Sequence, residues 1–407
     1  MTQAPLAGIK VLELARILAG PWVGQTLADL GAEVIKVERP GAGDDTRHWG
    51  PPFVRSETGE NLGAAYYHGC NRGKRSIAVD FEKPEGIEIV RRLAAEADVV
   101  IENFKVGGLK KYGLDYDSLA AINPRLVYCS ITGFGQTGPY APRAGYDFMI
   151  QGMGGYMDLT GAPDGEPMKV GVAVADLFTG LYSVIGIQAA LRAREMTGRG
   201  QRVDMSLLDS MVAVLANQGM NYLVSGKAPK RMGNAHPNIV PYQVFPVADG
   251  HIIIATGNDR QFRDTCAILG IEDVGFDPRF VHNAARIATR AELVEIMEAR
   301  TRTFRRDDLL AQLAAAHVPA GPINSVADVF ADPQVVARGL RLDLAHAGAA
   351  GGTVPSIRNP IVLSDTPLVH DHASPALGAD TDAVMMALGY DEDEVARLAA
   401  AGVVGRG

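Results

Sequence analysis

The chain has 407 residues, 47% of them hydrophobic and 21% charged, with a formal net charge of −8. That length exceeds a comfortable single core and points to two domains, while the acidic balance excludes general nucleic-acid binding. Three scattered cysteines, Cys70, Cys129 and Cys266, exclude a disulfide framework and suit a reducing cytoplasmic setting.

In chain order, GIKVLELA, PWVGQTLADLGA and EVIKVERP read as strand, helix and strand. Glu13 and Arg16 interrupt the first apolar run, so it does not read as a secretion signal. No uninterrupted apolar run approaches a membrane span, and none is expected. KRSIAVDF, PEGIEIVRRLAAEA and DVVIENF repeat the unit, and DYDSLAAINPR with LVYCSIT extends it. This alternation predicts an α/β fold with a doubly wound, Rossmann-like parallel sheet. Ligands of such sheets gather at the carboxyl ends of the strands. Those ends supply residues 16–19, Glu38, Arg39, Asn103, Phe104 and residues 132–135. A nicotinamide-binding domain is disfavoured, because the first turn, ARILAGPWVGQ, lacks the GxGxxG pattern.

Further along, VGVAVA reads as a short extended run and LFTGLYSVIGIQAALRA as a helix. Asp176 stands at their junction, the only charged residue between Lys169 and Arg192. A carboxylate there accepts first-turn N–H groups, feels the positive end of the helix dipole and stays ionised. An ordinary capping Asp satisfies the same pattern. After residue 201 a strand and a long helix follow, then the polar loop KAPKRMGNAHPNIVP. YQVFPVADGHIIIATGN is a hairpin turning at Asp-Gly, and helices are expected over 262–269, 290–303 and 307–316. The expected division is a large domain over 1–226, to which 325–407 return, and a smaller α+β domain over 227–324.

The stretch ADLFTG, together with LAGPWVGQTLADLGAEVIKVERPGAGDDTR, NRGKRSIAVDF, ENF, SITGFGQTGP and LGADTDAVMMALGY, resembles the class III CoA-transferase family. This is the formyl-CoA and carnitine CoA-transferase, or CaiB/BaiF, type, and the likeness covers nearly the whole chain. The resemblance implies two chains interlocked as a homodimer, while the charge and the lack of an apolar span lead us to expect no nucleic-acid or membrane partner. It implies a catalytic nucleophile at Asp176 and acyl-CoA as a substrate rather than a tightly bound cofactor. Coenzyme A contacts carry over to Ile17, Leu18, Arg39, the segment from Val79 to Glu82, Asn103, Phe104 and Lys111. They also carry over to the run from Ala144 through Tyr146 to Asp147.

Several positions depart from better-known relatives. Lys111 stands where they have Arg, while Leu18 and Ala144 stand where the formyl-CoA enzyme has Gln and Lys, which argues against formyl-CoA:oxalate chemistry. The racemase branch carries His in the triplet that here reads Gly145-Tyr146-Asp147. A phenol ionising at about 10 is a poor base at neutral pH, so acyl-CoA racemisation or isomerisation is the lesser alternative. RPGAGDDTRHWGPPF, AHPNIVPYQVF and GPINSVADVFADPQV look most like the branch exchanging coenzyme A between succinate and glutarate-type dicarboxylates. Arg16, Arg143 and His236 are the candidates for the distal carboxylate. Among other cations, Lys74 and Arg75 are candidates for coenzyme A phosphates. His370-Asp371-His372 lacks further Cys or His nearby, so no metal is expected.

Overall fold

The computed structural model describes residues 3–407. Its central sheet contains β1 (Lys10–Glu13), β2 (Glu33–Glu38), β3 (Lys74–Val79), β4 (Val99–Glu102), β5 (Val127–Thr132), β6 (Arg202–Ser206) and β7 (Val404–Gly405). The order across the sheet is β7-β3-β2-β1-β4-β5-β6. All neighbours are parallel except β7, which pairs antiparallel with β3 through Val404 and Val79. Strand order therefore reverses direction between β1 and β4, which opens a crevice at their carboxyl ends.

These strands are apolar on both faces because both faces are covered. Val99, Ile101, Val127 and Cys129 join one buried cluster, with Val23 and Leu27 of α1 (Ala19–Asp29). Val100 and Tyr128, one residue out of step, join the opposite cluster with Ile89 and Val90 of α2 (Pro84–Glu96). Pro84 begins α2 where its missing N–H costs nothing, and Glu85 adds a favourable charge to the first turn.

Two further helical segments matter for the site. They are α3 (Asp147–Met153) and the start of α4 (Val174–Thr197). By length and composition α4 is apolar enough to cross a membrane, contrary to the sequence expectation. Its Ala175, Val184, Ile187, Ala190 and Leu191 are instead buried in the cluster shared with α1, as in a core helix. Gly180 lets the two helices approach: a Cβ there would sit 3.2 Å from Ala19 O and from Trp22 Cδ1. α4 ends on Gly198 in a left-handed conformation, whose N–H caps Arg194 O.

The chain divides into two compact units. The larger holds the sheet and comprises the residues up to Tyr156, Lys169–Leu223 and Gln334–Gly407. The smaller comprises Met157–Met168 and Val224–Pro333. It contains an antiparallel sheet of Tyr242–Val247, Gly250–Ala255 and Ala320–Pro322. Helices Asp259–Ile268, Arg290–Thr301 and Arg306–Ala315 bury Phe262, Leu293, Met297 and Leu309 against Phe245 and Ile252 of that sheet.

Candidate active site

A cleft of about 510 Å³ lies at the carboxyl ends of β1 to β5. Its wall between β1 and α1 runs from Leu14 to Ala19. Within it Ile17 has φ of +72°, a region that β-branched residues rarely enter. The conformation is held by Asp44, whose two oxygens each accept the Ile17 N–H at 3.2 Å. Asp44 is fixed in turn by Lys36 Nζ at 2.9 Å and by the Thr46 N–H and hydroxyl. Lys36 also reaches Glu13 at 3.0 Å, and Lys74 reaches the other Glu13 oxygen at 2.8 Å. Nearby, Arg47 forks onto Glu38, which takes a further N–H from Asp44. Three carboxylates thus meet three cations in a dry setting, where any unpaired charge is costly. Burial opposes the charge on Lys36, yet Glu13 and Asp44 prevail and push its pKa up.

Asn103, at the end of β4, clips this wall in place. Its Oδ1 accepts the Arg16 N–H at 3.0 Å and its Nδ2 donates to Arg16 O at 2.6 Å. One residue back, Glu102 accepts from the Ser130 hydroxyl and from the Phe104 N–H. Burial pushes its carboxyl up to about 7. Phe104, Phe81 and Tyr112 form an edge-to-face aromatic corner with centroids 5.9 and 5.7 Å apart, and Lys111 Nζ lies 4.4 Å over the Tyr112 ring.

Asp176 lines the same cleft. The helix begins two residues earlier than the sequence suggested, and VGVAVA forms no strand. Nor is Asp176 the cap. Asp147 takes that part from outside the helix, its Oδ1 accepting the N–H of Ala175 at 2.8 Å and of Asp176 at 3.4 Å. The Asp176 carboxylate accepts no hydrogen bond among the described residues. Burial first, and the charge of Asp147 second, raise its pKa to about 7 rather than holding it low as capping would. The same two carboxylates, after burial, help push the Tyr66 phenol up to about 12.

Of the residues expected in the site, Arg16, Ile17, Leu18, Arg39, Val79, Asn103, Phe104, Lys111, Arg143, Ala144 and Tyr146 line this cleft with Asp176. Others do not. Lys74 is fully buried against Glu13, Asn71 Oδ1 and Pro21 O, so it has no donor to offer a phosphate. Arg75 is spent on Glu33 and Asp380. Asp147 commits one oxygen to the start of α4 and the other to Gln151 Nε2 at 2.7 Å. His236 belongs to the smaller unit, its ring tilted on Tyr242 at 5.1 Å and its Nδ1 taking the Asn238 N–H. His370 lies 3.7 Å from Asp29, and His372 pairs with its neighbour Asp371. Sequence reasoning did not single out Tyr112 and Lys105, which flank residues already suspected, Asp44, which lies in the quoted stretch RPGAGDDTR, or Tyr66, for which no local signal exists.

A desolvated carboxylate in an aromatic and cationic cleft suits an activated acyl ester. The profile of CoA-transferase family III matches residues 6–381. The chain belongs to that family. It is 61% identical to succinate–glutarate CoA-transferase of Agrobacterium fabrum, over 92% of this chain and 93% of that protein. It is 43% identical to human succinyl-CoA:glutarate CoA-transferase, over 98% of this chain and 90% of that one. Among solved structures, a CaiB/BaiF family protein from Brucella suis superposes with a TM-score of 0.84 at 64% identity. That alignment covers 95% of this chain and all of the other. This family III transferase is therefore an enzyme whose substrates are coenzyme A thioesters.

Proposed function

We propose that this transferase moves coenzyme A from succinyl-CoA to a small dicarboxylic acid such as glutarate, through a thioester on Asp176. The observation that carries the reading is the Asp176 carboxylate in the cleft wall, engaged by no described protein donor, in a chain 61% identical to a succinate–glutarate transferase. An Asp176 oxygen attacks the thioester carbonyl, and the C–S bond breaks with its electron pair leaving on sulfur. The CoA thiolate then attacks the aspartyl carbonyl of the mixed anhydride, releasing the donor acid and leaving an enzyme thioester. The acceptor acid runs the same steps in reverse. One thioester replaces another, so the exchange is nearly thermoneutral.

A carboxylate with a pKa near 7 is more basic than an ordinary one, and so a better nucleophile, while still ionised in part at neutral pH. Phe81, Phe104 and Tyr112 offer flat apolar surface for an adenine, and Lys111 and Arg39 offer charge for phosphates. Arg143 and Arg16 are the cations at hand for a distal carboxylate. Arg143 lies over the Tyr140 and Phe134 rings, and Arg16 is paired with Asp45 at 2.8 Å on an exposed surface.

Leu181, Tyr182 and Ile185 leave an exposed apolar band on α4, which supports a homodimer, interlocked as the resemblance implies. The three cysteines are free and buried, in keeping with a cytoplasmic enzyme. A matrix of donors and acceptors, with product CoA esters read by mass spectrometry, tests the reaction. Transfer between succinate and glutarate is expected; α-carbon racemisation without transfer, or indifference to a second carboxylate, contradicts it. Light scattering that found an active monomer would remove the dimer.

A further inference from the structure

Asp147 and Asp176 are two carboxylates at the start of one helix, and only one of them is bonded to it. Asp147 reaches in from α3 and takes the N–H groups of Ala175 and Asp176. Its other oxygen is held by Gln151, which is fully buried. Gln151 also accepts the Val170 N–H at 2.9 Å and donates to Val172 O at 3.4 Å. The segment leading into α4 is thereby fastened at both ends of one short side-chain relay. An Asp three residues inside a helix ordinarily folds back onto first-turn N–H groups. Here those groups are already occupied.

We propose that Asp147, fixed by Gln151, is a positioning residue that claims the first-turn N–H groups of α4 and so leaves both oxygens of Asp176 free to attack. This rests on the reading of Asp176 as nucleophile. It replaces the contact with coenzyme A that resemblance assigned to Asp147. The charge of Asp147 adds a second effect. Free Asp176 is an anion facing another anion, whereas in the mixed anhydride and the thioester it is neutral. Acylation therefore relieves a repulsion that the resting enzyme carries. No proton moves in that step, since carboxylate oxygen replaces thiolate sulfur at the acyl carbon. Of the ionisable groups near the pair, the Tyr66 phenol stays protonated and does not screen it at neutral pH.

Single-turnover acylation by succinyl-CoA, followed across pH for wild type, Asp147→Ala, Asp147→Asn and Asp176→Asn, tests this. Asp147→Ala is expected to lower the acylation rate at least 100-fold, with the apparent Kd for succinyl-CoA changed less than threefold. Asp147→Asn keeps an oxygen for Ala175 N–H and covers the case in which the alanine variant does not fold. It is expected to lose tenfold or less, with the rising limb of its pH–rate profile moved to lower pH than in wild type. A loss confined to succinyl-CoA affinity would make Asp147 a ligand contact and overturn the proposal. So would an Asp147→Asn profile that does not move, or an adduct that maps to residue 147. An active Asp176→Asn enzyme sinks the nucleophile assignment and this inference together. An inactive Asp176→Asn beside indifferent Asp147 variants sinks only the inference.

Discussion

Gly133 and Gly145 pack backbone against backbone: a Cβ on Gly133 would lie 2.6 Å from Gly145 Cα, and the converse distance is 2.5 Å. Neither has a positive φ, so the need for glycine is purely steric. Gly133 follows β5, and Gly145 leads directly into Tyr146 and Asp147. The contact thus sets the distance between the sheet and the cap of α4.

Gly145→Ala should accordingly push Asp147 off the helix start. Displacements of about 1 Å near a reacting group cost roughly 100-fold in rate, and a loss of about that size in kcat is expected. Gly171→Ala is the control, because nothing lies within 4 Å of its Cβ position and its φ is ordinary. Steady-state kinetics of the two variants side by side check the claim; equal losses would count against it.

For Asp176→Asn, turnover should fall by roughly three orders of magnitude or more, as when a covalent nucleophile is lost. Wild-type rate should rise as pH passes about 7 and the carboxylate ionises. Stability should move the other way. The folded protein holds the Asp176 proton up to about 7, whereas the unfolded chain releases it near 3.8. The folded state therefore binds more protons in that window, and wild-type stability declines across it as pH rises. At pH 8 the Asn variant should be the more stable by about 1 kcal/mol, a figure discounted for a half-buried group, with the gap closing toward pH 4. Urea unfolding at both pH values measures it.

Glu13→Gln removes the carboxylate shared by Lys36 and Lys74, all three of them fully buried. Stranding a buried charge costs about 3–5 kcal/mol, and a drop of that order in unfolding free energy is expected. Pairing it with Lys74→Met removes the stranded charge and should recover much of the loss. A double-mutant cycle in urea that showed simple additivity would refute the coupling.

Arg143→Ala and Arg16→Ala separate the two cations offered for the distal carboxylate. Loss of a desolvated ionic partner costs about 2–5 kcal/mol, so one variant should lose dicarboxylate turnover while keeping that of a monocarboxylate. Arg16 is the weaker candidate, since Asp45 already competes for it. Lys111→Ala should raise KM for acyl-CoA a few-fold at low salt, and less at high salt, with kcat nearly unchanged.

The six parallel strands of the sheet were legible in the sequence, because each is an apolar run of the right period bounded by turn residues, whereas the two-residue antiparallel strand Val404–Gly405 is too short to show a period. The crevice followed, since parallel order and strand ends together locate it. Asp176 stood out as an isolated charge among apolar neighbours. The sequence also suggested that this carboxylate capped its helix and was held ionised, which the fold reverses. Asp147 lies 29 residues away, and only the Gly133–Gly145 contact and the placement of α3 bring it to the helix start. Lys74 likewise resembles a phosphate ligand until Glu13, 61 residues distant, is seen to hold it. Period and polarity are local and survive in a string of letters. Which of two like charges receives a donor, and which is left bare and desolvated, depends on residues far apart in sequence, so only the packed chain decides it.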